Sequence, residues 1–264
     1  ERMSVWSQVV TPADGQAWVT GASAGIGRAV ALKLADEGWT VWVTARSADK
    51  LEALAAERPG KIKPVAADIT DAAAMVATVD AITAEGPLAL AILNAGAYAP
   101  MRAQEFNAAT AKSTFDVNLT GTANGLDPVL KHMIARNAGH VALTASVAGY
   151  RGLPRASAYS ATKAAMIAMA EALAFDLIDL GVRISVINPG FVETEATAVN
   201  DFEMPFVMST DAAAKRIVEG LKKPGFEIAF PRRFALILRT IGLLPNQAYF
   251  WVMRKMMGWD SNVD

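Results

Sequence analysis

Tyr159 and Lys163, in the run Ser157-Ala158-Tyr159-Ser160-Ala161-Thr162-Lys163, stand four residues apart, so on a helix their side chains share one face. A free tyrosine loses its proton at a pH of about 10, too high for efficient proton transfer near neutrality. An ammonium about 4 Å from the phenolate would stabilise it by roughly 4 kcal/mol at an effective dielectric near 20, an upper limit worth about three pKa units. Together the two residues could therefore act as an acid or base at neutral pH. The same spacing also occurs on ordinary helices, where both side chains lie along the surface with their polar ends in water. The pair takes its meaning from its surroundings.

A second cluster of informative residues lies near the N-terminus, in Thr20-Gly21-Ala22-Ser23-Ala24-Gly25-Ile26-Gly27. It falls between an expected first strand and first helix, where backbone amides and a helix N-terminus can be brought up to a pyrophosphate. Gly21 would permit the turn, while Gly25 and Gly27 would let the backbone and the helix approach a nucleotide. The spacing is G-x-x-x-G-x-G rather than G-x-G-x-x-G, and a glycine-rich turn also serves as a plain connection. The second expected strand ends Val43-Thr44-Ala45-Arg46, where an NAD-selective site would carry an acid for the ribose hydroxyls. Arg46 can instead pair with a 2′-phosphate, which favours NADP(H) over NAD(H); the alternative is an exposed arginine opening the next helix.

These residues need a scaffold, and the hydrophobic patterning supplies one. Short apolar runs at Ala17–Thr20, Thr40–Thr44, Ile62–Ala66, Leu88–Leu93, His140–Thr144, Arg183–Ile187 and Glu227–Phe230 read as strands, mostly apolar on both faces. Between them, helices are predicted over Gly25–Glu37, Asp49–Glu57, Asp71–Ala84, Asn107–Arg136, Ser157–Leu180 and Thr210–Leu221, with Gly38, Gly86, Gly139 and Gly181 as stops. The alternation predicts an α/β fold: a doubly wound, mostly parallel seven-stranded sheet with helices on both faces, formed by one domain over residues 1–264. With 25 basic and 26 acidic residues evenly mixed, no positive field is available to attract nucleic acid. The absence of cysteine excludes disulfides, thiolate metal sites and a cysteine nucleophile, and fits a cytoplasmic setting. His132 and His140, the two histidines, flank a helix-to-strand junction and give no metal ligand set, so both are expected to be surface or core residues. No stretch suggests an export signal or a membrane-spanning helix, and Glu1 and Arg2, which precede Met3, are given no role.

With Ser146 thirteen residues before Tyr159, Asn94-Ala95-Gly96 after the fourth strand, Asn118 in the following helix and the Thr20–Gly27 turn, the chain resembles the short-chain dehydrogenase/reductase family from about Gln16 to Leu221. That family has a Rossmann-type fold. The resemblance implies that Tyr159 exchanges a proton with the substrate oxygen, Lys163 holds the nicotinamide ribose and lowers the tyrosine pKa, and Ser146 hydrogen-bonds the substrate. It implies that Asn118 holds a water in a proton relay; from sequence alone, a buried asparagine bonded to backbone is the competing reading. Gly21, Ser23, Gly25, Ile26 and Gly27 would hold phosphates, and Asn94, Ala95 and Gly96 would line the adenine ribose. Asp68 would contact the adenine or else serve only a turn, and Pro189, Gly190 and Thr194 would border the nicotinamide. Leu93 stands where the commoner form of the motif has a second asparagine, a change in packing rather than chemistry.

Residues 191–209 fall where the family carries a substrate-covering loop, and Phe191, Phe202, Met204, Phe206 and Met208 among Glu193, Glu195, Asp201 and Glu203 suggest a partly apolar lid. The tail, residues 231–264, is apolar but interrupted by Arg239, Pro245, Arg254 and Lys255. It could cap an apolar pocket, join subunits of a homodimer or homotetramer, or touch a membrane peripherally. The expectation is an oxidoreductase moving hydride between NADP(H) and a carbonyl or alcohol of a hydrophobic small molecule. An NAD(H)-dependent alcohol dehydrogenase and a nucleotide-binding regulator without turnover are the alternatives.

Overall fold

The computed structural model describes residues 8–198 and 204–256. Seven strands, β1 (Gln16–Thr20), β2 (Val41–Ala45), β3 (Ile62–Ala66), β4 (Leu88–Leu93), β5 (His140–Thr144), β6 (Arg183–Pro189) and β7 (Glu227–Phe230), form one sheet in the order β3-β2-β1-β4-β5-β6-β7. Every neighbouring pair is parallel. Both faces of the central strands are covered, which is why β1, β2, β4, β5 and β6 are buried almost throughout, while the edge strands β3 and β7 alternate.

The two-residue period of a strand divides the core into two layers. Ala17 and Val19 of β1 point to one side. There they meet α1 (Gly25–Asp36), α2 (Ala48–Glu57) and α7 (Thr210–Leu221), which bury Val30 and Leu34, Leu51 and Leu54, and Ile217 and Val218. Trp18, between them in sequence, points to the other side. That layer holds Met75 and Val79 of α3 (Ala72–Glu85), Leu126 and Met133 of α5 (Thr122–Arg136), and Met166 and Ala170 of α6 (Ser157–Leu177).

The helix expected over Asn107–Arg136 differs from the single rod predicted. It consists of α4 (Ala108–Phe115), a wider π turn over Asp116–Gly121, and α5. Gly121 in that turn lies so close to Ile69 that a Cβ there would stand 2.8 Å from the isoleucine Cγ2, so tertiary packing accompanies the irregularity. The helix predicted to reach Leu180 ends at Leu177 and continues as turns. Beyond β7 the apolar tail folds into α8 (Arg232–Gly242) and α9 (Asn246–Met256). Among the described residues, no helix is long and apolar enough to cross a membrane.

Candidate active site

Strand order reverses between β1 and β4, and a crevice of about 1250 Å³ opens there at the carboxyl ends of the strands. Gly21 makes the turn out of β1 at φ +66°, and a Cβ on it would lie 2.7 Å from Ala95 Cα. Gly25, at φ +55°, opens α1 against Thr194. Gly27 has a role the sequence did not indicate: a Cβ there would stand 2.4 Å from the Gly21 carbonyl oxygen, so this glycine lets α1 pack onto the turn, and it does not line the crevice. The cap residue of α1 is Ala24, whose side chain accepts nothing, and the first turn carries no acid. By contrast α3, α4 and α7 are capped by Asp71, Asn107 and Ser209. The first amides of α1 are thus left without a side-chain acceptor beside Gly21, Ser23, Gly25 and Ile26, a cradle that fits a phosphate.

Arg46 and Asp68 line the crevice on the β2–β3 side. Arg46 is exposed and, among the described residues, forms no salt bridge. Asp68 accepts hydrogen bonds from the Thr70 amide at 2.9 Å and hydroxyl at 2.8 Å; these bonds, with Arg46 nearby, hold its carboxyl below the ordinary range. The turn reading of Asp68 therefore holds, and the residue faces the crevice as well. The Thr20 hydroxyl accepts from the amides of Asn94 and Ala95 at 2.9 and 3.0 Å, joining the ends of β1 and β4. Gly96 follows, beside Asn118 and Lys163.

Tyr159 and Lys163 face the same crevice from α6, as the four-residue spacing requires. Lys163 is 3% exposed, and its Nζ donates to the Thr144 carbonyl at 2.7 Å and lies 5.4 Å from the centre of the Tyr159 ring. The ammonium thus sits against the ring face. The phenol is not lowered as expected from Lys163: burial pushes Tyr159 up to about 12, a hydrogen bond with Ser146 lowers it in part, and Tyr98 adds to the rise. Burial likewise pushes Lys163 down to about 7. For each group removal from water, which disfavours the charged form, is the leading cause.

Ser146, at the end of β5, accepts from the Ala148 amide at 3.1 Å and donates to the Pro189 carbonyl at 3.3 Å. Asn118 is fully buried in the π turn and does not line the crevice. Its side chain accepts from the Ala97 amide at 2.7 Å and donates to the Ala97 carbonyl and the Thr162 hydroxyl, both at 3.0 Å. The backbone-bonded reading thus describes the Asn118 side chain, which ties the loop after β4 to α6.

Pro189, Gly190 and Thr194 border the far end, where Val192 bridges to Met208 and Phe206 packs 5.7 Å from Phe234. Asp201, Phe202 and Glu203 lie outside the described residues, as do residues 257–264 of the tail. Phe234 and Leu238 of α8, and Met253 and Met256 of α9, line the crevice with Leu153 and Phe191. The tail helices thus form part of the crevice wall.

Contacts that the sequence did not single out hold the tail helices and surround Tyr159. Glu227 accepts from Asn188 at 2.6 Å, from the Tyr150 hydroxyl and from Arg239. Arg151 donates to the carbonyls of Gly242 at 2.8 Å and Leu244 at 2.6 Å, and its guanidinium lies 4.0 Å from the centre of the Tyr249 ring. Tyr98 meets Tyr159 edge to face at 5.0 Å. Only Tyr98 had a nearby signal, two positions after Gly96; Tyr150 meets Glu227 across 77 residues and Arg151 meets Gly242 across 91, beyond any local pattern. Among the described residues no group of three potential ligands gathers to hold a metal ion, and His132 and His140 instead bond to the Leu88 amide and Ser185.

The parallel sheet, the open cradle on α1 and the Ser146–Tyr159–Lys163 cluster define a nucleotide-dependent oxidoreductase site. Comparison with known proteins agrees. The short chain dehydrogenase family model matches residues 16–203. A Myxococcus xanthus protein described as an uncharacterized oxidoreductase is 38% identical over 244 residues, covering 91% of this chain and 96% of that protein. A short chain dehydrogenase from Burkholderia cenocepacia in complex with NADP superimposes with a TM-score of 0.81 at 23% identity, over 92% of this chain and 99% of that one. A Burkholderia phymatum short chain dehydrogenase/reductase in complex with NAD gives 0.76 at 27% identity, over 87% and 94%. The chain belongs to the short-chain dehydrogenase/reductase family and is an oxidoreductase of that class.

Proposed function

We propose that this protein is an NADP(H)-dependent carbonyl reductase acting on a hydrophobic small molecule. The observation that carries the reading is the Tyr159 phenol, held protonated by burial and hydrogen-bonded to Ser146 in a crevice walled by Phe191, Phe234, Leu238 and Met253. Burial keeps the phenol protonated, with a proton to donate, but makes it a weaker acid than a free tyrosine, so transfer to a carbonyl oxygen at neutral pH relies on the Lys163 ammonium beside the ring.

When bound, the nicotinamide nucleotide supplies the hydride. Gly21, Ser23, Gly25 and Ile26 would hold its phosphates, Arg46 the 2′-phosphate, Asp68, Asn94, Ala95 and Gly96 the adenosine side, and Pro189, Gly190 and Thr194 the nicotinamide side. The Tyr159 hydroxyl donates its proton to the carbonyl oxygen, and Ser146 orients that oxygen. Lys163, beside the Tyr159 ring, favours the phenolate left behind. Asn118 acts as a positioning residue by fixing Ala97 and Thr162. The apolar wall excludes water from the reacting atoms.

NADPH consumption against a panel of apolar ketones and aldehydes tests the reading. Tyr159→Phe is expected to lower turnover by about 10²–10⁴-fold while NADPH binding persists. If the unaltered chain binds NADPH and oxidises none on any carbonyl, a binding role without turnover replaces the proposal. Arg46→Asp should move the preference from NADPH toward NADH; unchanged relative affinities would remove Arg46 from cofactor choice.

A further inference from the structure

The cap helices have a second face. Counted at 100° per residue, Phe234 and Leu238 of α8 form its buried stripe, and Leu236 and Leu243 lie almost opposite, 66% and 87% exposed. Arg232 and Arg233, both exposed, flank those leucines. The pattern recurs on α9: Tyr249 and Met253 are buried, and Trp251, on the opposite side, is 59% exposed between Arg254 and Lys255, with Lys255 Nζ 5.1 Å from its ring centre. Phe250, equally exposed, widens the surface. From Pro231 to Met256 the sequence contains five cations and not one acid. Arg239 pairs with Glu227, and Arg232, Arg233, Arg254 and Lys255 are exposed around the outward apolar residues.

We propose that this outward face of α8 and α9 docks the protein on an anionic lipid bilayer. Large apolar side chains ringed by arginine and lysine match the acyl boundary and the charged headgroups of such a surface. A second copy of the chain fits poorly. A two-fold contact through this face would bring Arg232, Arg233, Arg254 and Lys255 of both copies together with no acid in the segment to oppose them. Nucleic acid does not match a face whose centre is leucine and tryptophan. Met256 is both half exposed and part of the crevice lining, so the crevice opens beside the docking face, where an apolar substrate could enter from lipid. Docking does not depend on turnover, so its failure and that of the reductase reading would be seen separately.

The test is co-sedimentation of the full chain with vesicles of phosphatidylcholine alone or mixed with phosphatidylglycerol. Binding to the mixed vesicles, weakened by salt and weak or absent on the neutral ones, is expected. Leu236→Glu with Leu243→Glu should lower partitioning about tenfold or more, and neutralising Arg254 or Lys255 about fivefold each. These side chains are exposed, so unaltered thermal unfolding will confirm that each variant keeps its fold. Quenching of the fluorescence that Trp251→Phe removes, by brominated lipid, gives a second readout. Equal binding to both vesicle types, indifference to the leucine changes, absence of quenching, or a dimer that these changes dissociate would each overturn the proposal.

Discussion

At the scale of single residues, the site concentrates groups held away from their ordinary protonation. Lys163 has no carboxylate partner in its hydrogen bonding; a carbonyl oxygen and the Met166 sulfur receive its ammonium. Its pKa falls from 10.5 to about 7, so the sign is that of a destabilising charge. Above about 10.5 both folded and unfolded lysine are neutral; as pH falls from there to about 7 the unfolded chain takes up the proton first, and stability declines. Lys163→Met is therefore expected to raise the melting temperature of the nucleotide-free protein, with the gain growing from pH 10 down to about 7 and level below that. Calorimetry across this range checks it; a gain independent of pH would mean that burial of the charge is not the cause. The identity of this pair was legible because a spacing of four on a helix is a local property. Its protonation was not, because burial depends on residues such as Tyr98 and Thr144 that reach the pair through the fold.

At the scale of elements, the strands matched their sequence signals closely, since the central ones are covered on both faces and read as apolar runs. Helix interiors were harder to read. Nothing in Asp116-Val117-Asn118-Leu119-Thr120-Gly121 announces a π turn, because its residues suit an α-helix equally well and the change accompanies Asn118 and Gly121 meeting Ala97 and Ile69. The tail was legible as apolar and basic, and not as two helices clamped onto the loop after Ser146. Arg151→Ala removes two charge-assisted bonds to α8–α9 carbonyls and the stacking on Tyr249. The expected cost is about 2–3 kcal/mol, with KM for apolar substrates rising more than kcat falls. Steady-state kinetics with thermal unfolding would show this, and a loss confined to kcat would place Arg151 elsewhere in the mechanism. Within β5, burial holds His140 well below its ordinary 6.5, with Arg183 adding to the effect. The unfolded histidine takes up a proton as pH falls through about 6.5 while the folded one does not, so stability is present above that pH and lost below it. His132, lowered by burial and by Arg136, contributes in the same direction. Urea unfolding between about pH 7.5 and 5 should show a decline that His140→Gln reduces.

At the scale of the whole molecule, the sequence conveyed the layered architecture because alternating strands and helices leave few ways to cover a parallel sheet. What it could not convey was which distant segments close the crevice, since α8, α9 and the loop after β5 meet only in the folded chain. The all-parallel order has one more consequence, for the time course of folding. No strand pairs with its neighbour through a hairpin, and the central seam joins Thr20 to Asn94 across 74 positions, so loop-closure entropy must be met before either core layer is complete. The crevice proposed to hold the nucleotide straddles that seam and exists only once both halves have met. Added NADPH should consequently leave the refolding rate unchanged and slow unfolding, and stopped-flow tryptophan fluorescence would separate the two. Acceleration of refolding would mean that the seam between β1 and β4 forms early, ahead of the strands on either side.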